Sequence, residues 1–215
     1  MDGSPAIRAS LERMEPVSDK AWQQLSAFAA CLQHWQQRMN LVAPATIAHL
    51  WDRHIADSWQ LVPVLKRCDQ GTLLDLGSGG GLPGIVLRIG GLEPVHLVEA
   101  NHRKAAFLRQ AAFETGANVT VHARRIESLP AAGIGRPAAI VARALAPLKQ
   151  LLSLAFPLVS PETTLVLPKG RRWEEELSEA LVAYSFVWRH TPSVTESDSV
   201  ILELRNVSKR EGVGA

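Results

Sequence analysis

Two stretches of this chain bring together groups that could do chemistry. The first is Arg53-His54-Ile55-Ala56-Asp57-Ser58, with an imidazole, a carboxylate and a hydroxyl inside five positions. The second runs from Asp75 through Gly77, Gly79, Gly80 and Gly81 to Gly84, one acid followed by five glycines in eight positions. His54, Asp57 and Ser58 are the residue types of a hydrolytic triad. Within one helical turn, however, they cannot line up as nucleophile, base and orienting acid, and no oxyanion loop accompanies them. Hydrogen bonding is the plainer role for them.

The glycine run reads as a ligand loop. Five glycines cost backbone entropy unless a ligand must approach closely or the chain must take positive φ. Gly79, Gly81 and Gly84 fit the G-x-G-x-x-G spacing of a dinucleotide site, with Glu99 further on as a ribose-binding acid. Asp75 argues for a different ligand. A carboxylate two residues before the loop would repel a pyrophosphate but suit an ammonium group, such as that of S-adenosylmethionine. An NAD-dependent oxidoreductase remains the alternative enzyme, and a non-catalytic RNA- or nucleotide-binding regulator the alternative outside enzymes.

The elements around these residues support the methyl donor. Apolar residues Trp22, Leu25, Phe28, Leu32, Trp35 and Met39 recur at helical spacing after Ser18, a predicted N-cap. A second helical region is predicted over 46–66. After Gly71 short apolar runs alternate with helical stretches. Strands are predicted at 72–77, 94–100, 118–123, 138–144, 163–169, 186–191 and 199–206, and helices near 83–89, 102–115, 147–158 and 173–184. Alternation implies a parallel sheet covered on both faces. The last two strands have no helix between them and should form a hairpin that reverses the final strand. A seven-stranded, mostly parallel α/β sheet with a C-terminal antiparallel hairpin is the fold of class I S-adenosylmethionine-dependent methyltransferases. The expected division is a disordered segment over 1–17, an N-terminal helical segment over 18–68 packed on the catalytic domain, that domain over 69–207, and a flexible tail over 208–215.

Composition fits one such unit. The chain has 215 residues, 47% hydrophobic, with a formal net charge of +2. Its two cysteines, Cys31 and Cys68, are too few for a disulfide framework and lack metal-ligand spacing with histidines, so no metal is expected. No apolar run reaches the roughly 20 residues of a membrane span, and a cytoplasmic protein is expected. Basic pairs at Lys66–Arg67, Arg103–Lys104, Arg124–Arg125, Arg171–Arg172 and Lys209–Arg210 could hold an RNA backbone.

Missing motifs narrow the acceptor. There is no Asn/Asp-Pro-Pro-aromatic tetrapeptide for exocyclic amines. Neither cysteine follows a proline in a strand-end loop, as a pyrimidine C5 nucleophile would. An acceptor with a free lone pair and no proton to lose needs no base. Guanine N7 is such an acceptor, and catalysis then reduces to positioning.

The chain resembles the glucose-inhibited division protein B family, bacterial 16S rRNA guanine-N7 methyltransferases. The likeness rests on WQQRMNLV (35–42), RHIADS (53–58), LLDLGSGGGLPGI (73–85), KAAFLRQ (104–110), ARRIESLP (123–130), ARALAPL (142–148) and LPKG (167–170). It implies methyl transfer to N7 of guanine 527. It also implies that Gly77 and Leu82 line the methionine and adenosine parts of the donor, that Glu99 sits at the ribose, and that Ile126 and Glu127 flank the adenine. Arg143 would face donor and incoming base, His54 and Asp57 the pocket mouth, and Lys169 an RNA phosphate. Arg124, Arg125 and Arg171 join Lys169 as candidate RNA contacts, Asp75 and Gly79 join the donor site, and Arg143, His54 and Asp57 act by position. The substrate would be 16S rRNA or the small subunit, with no membrane and no obligate protein partner. Gly80 departs from the family, where many members have proline.

Overall fold

The structure, a computed structural model, describes residues 4–129 and 134–210. Seven strands form one sheet in the order β3-β2-β1-β4-β5-β7-β6. They are β1 Leu73–Leu76, β2 Val95–Val98, β3 Val119–His122, β4 Ala139–Val141, β5 Thr164–Lys169, β6 Tyr184–Pro192 and β7 Val200–Lys209. All neighbouring pairs among β1 to β5 are parallel, and β7 runs antiparallel to both β5 and β6. The sheet order reverses direction at β1 and β4, so the crevice beyond their carboxyl ends is the expected ligand position.

Helices cover both faces. α1 is Pro5–Glu12, α2 Asp19–Gln36, α3 Gly84–Ile89, α4 His102–Thr115, α5 Leu148–Ala155 and α6 Trp173–Ala183. Side chains set their ends. Ser18 Oγ accepts from Ala21 N at 3.1 Å, and Asn101 Oδ1 accepts from Arg103 N and Lys104 N. α4 stops at Gly116, whose φ of 64° only glycine takes cheaply.

One core lies between the sheet and the N-terminal helices, joining Leu25, Phe28 and Leu32 of α2 to Ile85 and Val86 of α3 and Phe107 and Leu108 of α4. The other lies between the sheet and α5 and α6, built from Leu74, Leu76, Ile140, Leu151, Leu152 and Leu202. The N-terminal segment is therefore part of the main core. Gln24 Nε2 reaches Thr115 O at 2.8 Å across the α2–α4 contact.

Three expectations are corrected. Residues 4–17 are ordered: Pro5–Glu12 is a helix capped by Ser4, and its Leu11 is fully buried. Its stripe of Ile7, Leu11 and Met14 packs on the N-terminal core and spans barely two turns, too short to stand out from sequence. The C-terminal strand runs to Lys209, opposite Tyr184, so the expected tail begins later; residues 211–215, like 1–3, lie outside the described part. The predicted helix over 46–66 is broken into a 3₁₀ turn Pro44–His49, a π-helical turn Trp51–Ala56 and short α turns Asp57–Trp59 and Val62–Leu65. Widened turns of this kind recur at functional sites, and this one carries Arg53 and His54.

Candidate active site

A cavity of about 930 Å³ opens at the carboxyl ends of β1, β4 and β5. Its walls are the Asn40–Pro44 loop, the Gly77–Gly80 run with Leu82, the Ala142–Pro147 loop and Pro168–Gly170. Lys104 also reaches it.

On the glycine side, backbone does most of the shaping. Gly77 and Ser78 N–H groups both donate to Val98 O. Gly77 sits at φ +71°, and a Cβ there would meet the Leu145 side chain at 2.6 Å. Glu99 braces the loop from the end of β2, its Oε2 accepting from Gly79 N at 2.9 Å and its Oε1 from Asn101 N at 2.7 Å. Asp75 does not line the cavity. It is 1% exposed and its Oδ2 accepts from Gly84 N at 3.1 Å, at the start of α3. Its Oδ1 has no hydrogen-bond partner among the described residues. Burial pushes its pKa up to about 7, against the opposing pull of Ser78, the Gly84 N–H and Arg143. Direct contact between Asp75 and a ligand ammonium is therefore corrected: the short β1 turns this side chain under the loop, toward α3.

The opposite wall is a side-chain network. Arg143 Nη1 donates to Asp57 Oδ2 at 3.1 Å, and Nη2 lies 3.0 Å from His54 Nδ1. A guanidinium has no acceptor, so Nδ1 must accept and the imidazole proton sits on Nε2. That proton points to Thr46 Oγ1 at 2.7 Å, and Thr46 in turn donates to Ala43 O. Desolvation by burial, then the adjacent Arg143 charge, lower the His54 pKa to about 4. His54 is a neutral ring whose free lone pair is already engaged. Asp57 Oδ1 accepts from Gln60 Nε2 and Thr195 Oγ1, both at 2.9 Å. Gln60, 4% exposed, also accepts from Val194 N, and so ties the β6–β7 loop to the helical segment. Ala144, next to Arg143, is held at φ +53°, a strained setting for a residue with a Cβ.

The other expected site residues divide. Leu82, Gly77, Gly79, Arg143, His54 and Asp57 line the cavity together. Ile126 and Glu127 occupy a 3₁₀ turn, with Ile126 half-buried against the α5–α6 core, and neither lines the cavity. Glu99 holds Gly79 N from the end of β2 and is not among the residues that line the cavity. Lys169 lines the cavity but is only 9% exposed, its Nζ bound to Glu176 Oε2 at 2.8 Å and Ala146 O at 3.0 Å. Its expected role as a free phosphate contact is corrected, because the first turn of α6 brings Glu176 over the end of β5. Arg124, Arg125 and Arg171 are exposed, and Arg171 lines a smaller cleft beside the cavity with Arg53 and Thr195. Sequence reasoning missed Thr46, Gln60, Ser193, Thr195 and Glu176. Only Gln60 carried a signal, as the one polar side chain in the run Trp59-Gln60-Leu61-Val62-Pro63-Val64-Leu65.

The reversed seventh strand and a glycine-walled cavity at the β1–β4 switch point define a class I methyltransferase fold. Solved structures agree at the level of fold. An O-methyltransferase from Bacillus cereus in complex with SAH has a TM-score of 0.59 at 14% identity, covering 94% of this chain and 98% of that one. A fibrillarin/Nop5p complex gives 0.52 at 14% identity, covering 71% of this chain and 80% of that one. The GidB family model, described as rRNA small subunit methyltransferase G, matches residues 21–201. A ribosomal RNA small subunit methyltransferase G from Granulibacter bethesdensis is 42% identical over 203 residues, covering 94% of this chain and 93% of that protein. Its counterpart from Rhizobium meliloti is 45% identical over 203 residues, covering 90% and 93%. The chain belongs to the GidB family.

Proposed function

We propose that the protein transfers a methyl group from S-adenosylmethionine to N7 of a guanine in 16S rRNA, guanine 527 in the family's terms. The observation that carries this reading is the state of His54. It is the imidazole at the cavity wall, and its unprotonated nitrogen faces the Arg143 guanidinium at 3.0 Å. A wall built this way positions and polarises but does not take up a proton, which suits an acceptor that has none to lose.

The glycine side fits the donor. Positive φ at Gly77 and Gly79 keeps side chains out of the loop. Each Glu99 oxygen accepts one backbone N–H, and a carboxylate has about four acceptor sites, which leaves room for two ribose hydroxyls. Leu82 supplies apolar surface. Bound here, the donor supplies an electrophilic methyl group. Arg143 holds its charge at the cavity mouth, fixed by Asp57 and His54, and orients the incoming base. The substrate is 16S rRNA, free or in the small subunit. Among the described residues no group of three His, Cys, Asp or Glu side chains could hold a metal ion, and none is assigned a role. No helix of the described residues is long and apolar enough to cross a membrane; a cytoplasmic setting follows from the ribosomal substrate.

The test is transfer of tritiated methyl from S-adenosylmethionine to 16S rRNA and to small subunits, followed by nucleoside analysis. 7-Methylguanosine is expected. A different methylated nucleoside contradicts the acceptor, no transfer favours a regulator, and thermal stabilisation by NAD alone favours the oxidoreductase.

A further inference from the structure

An aromatic cluster lies beside the cavity, outside the network described above. The Trp173 ring at the start of α6 lies 4.6 Å from His190 and 6.4 Å from Trp188 between centroids. Trp188 and His190 are 6.1 Å apart and near-parallel at 22°. They alternate on one face of β6, the outermost strand of the sheet, opposite Leu204 and Leu202. Trp173 is partly buried against the core below, whereas Trp188 is 41% exposed and His190 is also exposed. An exposed tryptophan backed by two rings offers a rigid π face to solvent.

The cluster adjoins the cavity on both sides. Trp173 N donates to Gly170 O at 2.9 Å, and Gly170 lines the cavity. Two residues past His190, Pro192 pairs with Val200, which also lines it. Arg171 sits between, exposed and without an ion pair among the described residues. Of the three acids in the first turn of α6, Glu175 pairs with Arg172 and Glu176 with Lys169, while Glu174 makes no ion pair among the described residues. The patch thus sets aromatic faces beside an exposed cation that makes no ion pair among the described residues, in a cleft also lined by Asp198; aromatic faces with a cation are the pairing that binds unstacked nucleobases with their phosphates.

We propose that Trp188 and His190, stiffened by Trp173, form a stacking platform for an unpaired RNA base flanking the target nucleotide, with Arg171 on an adjacent phosphate. The proposal rests on the rRNA reading above. A target base splayed into the cavity leaves its neighbours unstacked at the rim, and the platform gives one of them a surface.

The experiment measures retention of deproteinised 16S rRNA by the full chain in filter binding, alongside S-adenosylmethionine affinity and methyl transfer. Trp188→Ala should weaken RNA binding about 10-fold, the scale of one lost stack, with donor affinity unchanged. Trp188→Phe keeps a ring and should recover most of that loss, which a merely structural role would not require. Arg171→Ala should lower the salt slope by about one ion, whereas Trp188→Ala should leave it unchanged. Wild-type RNA affinity in Trp188→Ala, with transfer to rRNA intact, overturns the platform and leaves the proposed activity standing. A dimer that Trp188→Ala dissolves also overturns it, since the face would then meet a second copy. A wild-type protein that neither retains nor methylates 16S rRNA, whether deproteinised or in small subunits, overturns both.

Discussion

The two walls of the cavity are built by different means. The glycine wall, the one proposed for the donor, is local and mostly backbone: Gly77 to Gly84 form one loop, braced by Glu99 and by Asp75 beneath. The opposite wall is assembled from four separated stretches of chain, bringing Thr46, His54–Gln60, Arg143 and Ser193–Thr195 into one side-chain network. A local backbone site needs only the right residues in a row. A network needs the whole fold in register, since Asp57 meets Arg143 across 86 positions of chain and Thr195 across 138.

This contrast predicts how each wall fails. The largest effect should come from Arg143→Met. With the charge proposed to meet the incoming base removed, single-turnover methyl transfer should fall about 10²–10³-fold, as when an electrostatic donor is deleted from an active site, while rRNA is still bound. A rate within a few-fold of wild type would place the polarising group elsewhere. Next is the donor wall: Glu99→Ala should weaken donor binding by about 1.5–3 kcal/mol, the range for hydrogen bonds to a charged group, with the fold intact. Titration calorimetry with S-adenosylhomocysteine measures this, and an unchanged affinity would move the ribose site. Gln60→Ala should act on the network wall alone. It leaves Val194 N and part of Asp57 without a partner at a part-buried position, costing about 1 kcal/mol of stability and slowing transfer more than it weakens donor binding. Equal losses on both walls would contradict their independence.

The effects of pH on stability carry opposite signs. The His54 pKa falls from 6.5 to about 4 on folding. The unfolded chain therefore binds this proton where the native state does not, and the contribution, full above 6.5, is lost as pH falls toward about 4. The Asp75 pKa rises from 3.8 to about 7. Its contribution is full below 3.8 and is lost as pH rises through about 7. Urea midpoints across this range should show His54→Gln removing an acid-side loss and Asp75→Asn removing a neutral-side one. Two changes of the same sign would refute one of the assignments.

The same contrast explains what the sequence revealed. The strand–helix alternation and the final hairpin were legible because each element's periodicity is a local property, and all seven strands fall where the apolar runs place them. The glycine loop was legible for the same reason. Asp75 was misread because residue type and position do not say which way a strand turns a side chain. Lys169 was misread because its partner Glu176 lies seven residues on, in a helix whose first turn folds back over β5. The Ser193–Thr195 contacts could not be read at all: serine and threonine in a hairpin loop are ordinary turn residues, and only the packed sheet brings them to Gln60.

The central claim is that methyl transfer proceeds without a general base, and its pH dependence tests that most directly. In rapid-quench single turnovers with donor and rRNA both saturating, the rate should vary little between roughly pH 6.5 and 9, because His54 is already neutral there and arginine stays charged. His54→Gln should leave the profile flat, whatever it does to its height. A tenfold-per-unit rise in the wild type that disappears in His54→Gln would make His54 a base, and the acceptor would then be a group that loses a proton rather than guanine N7.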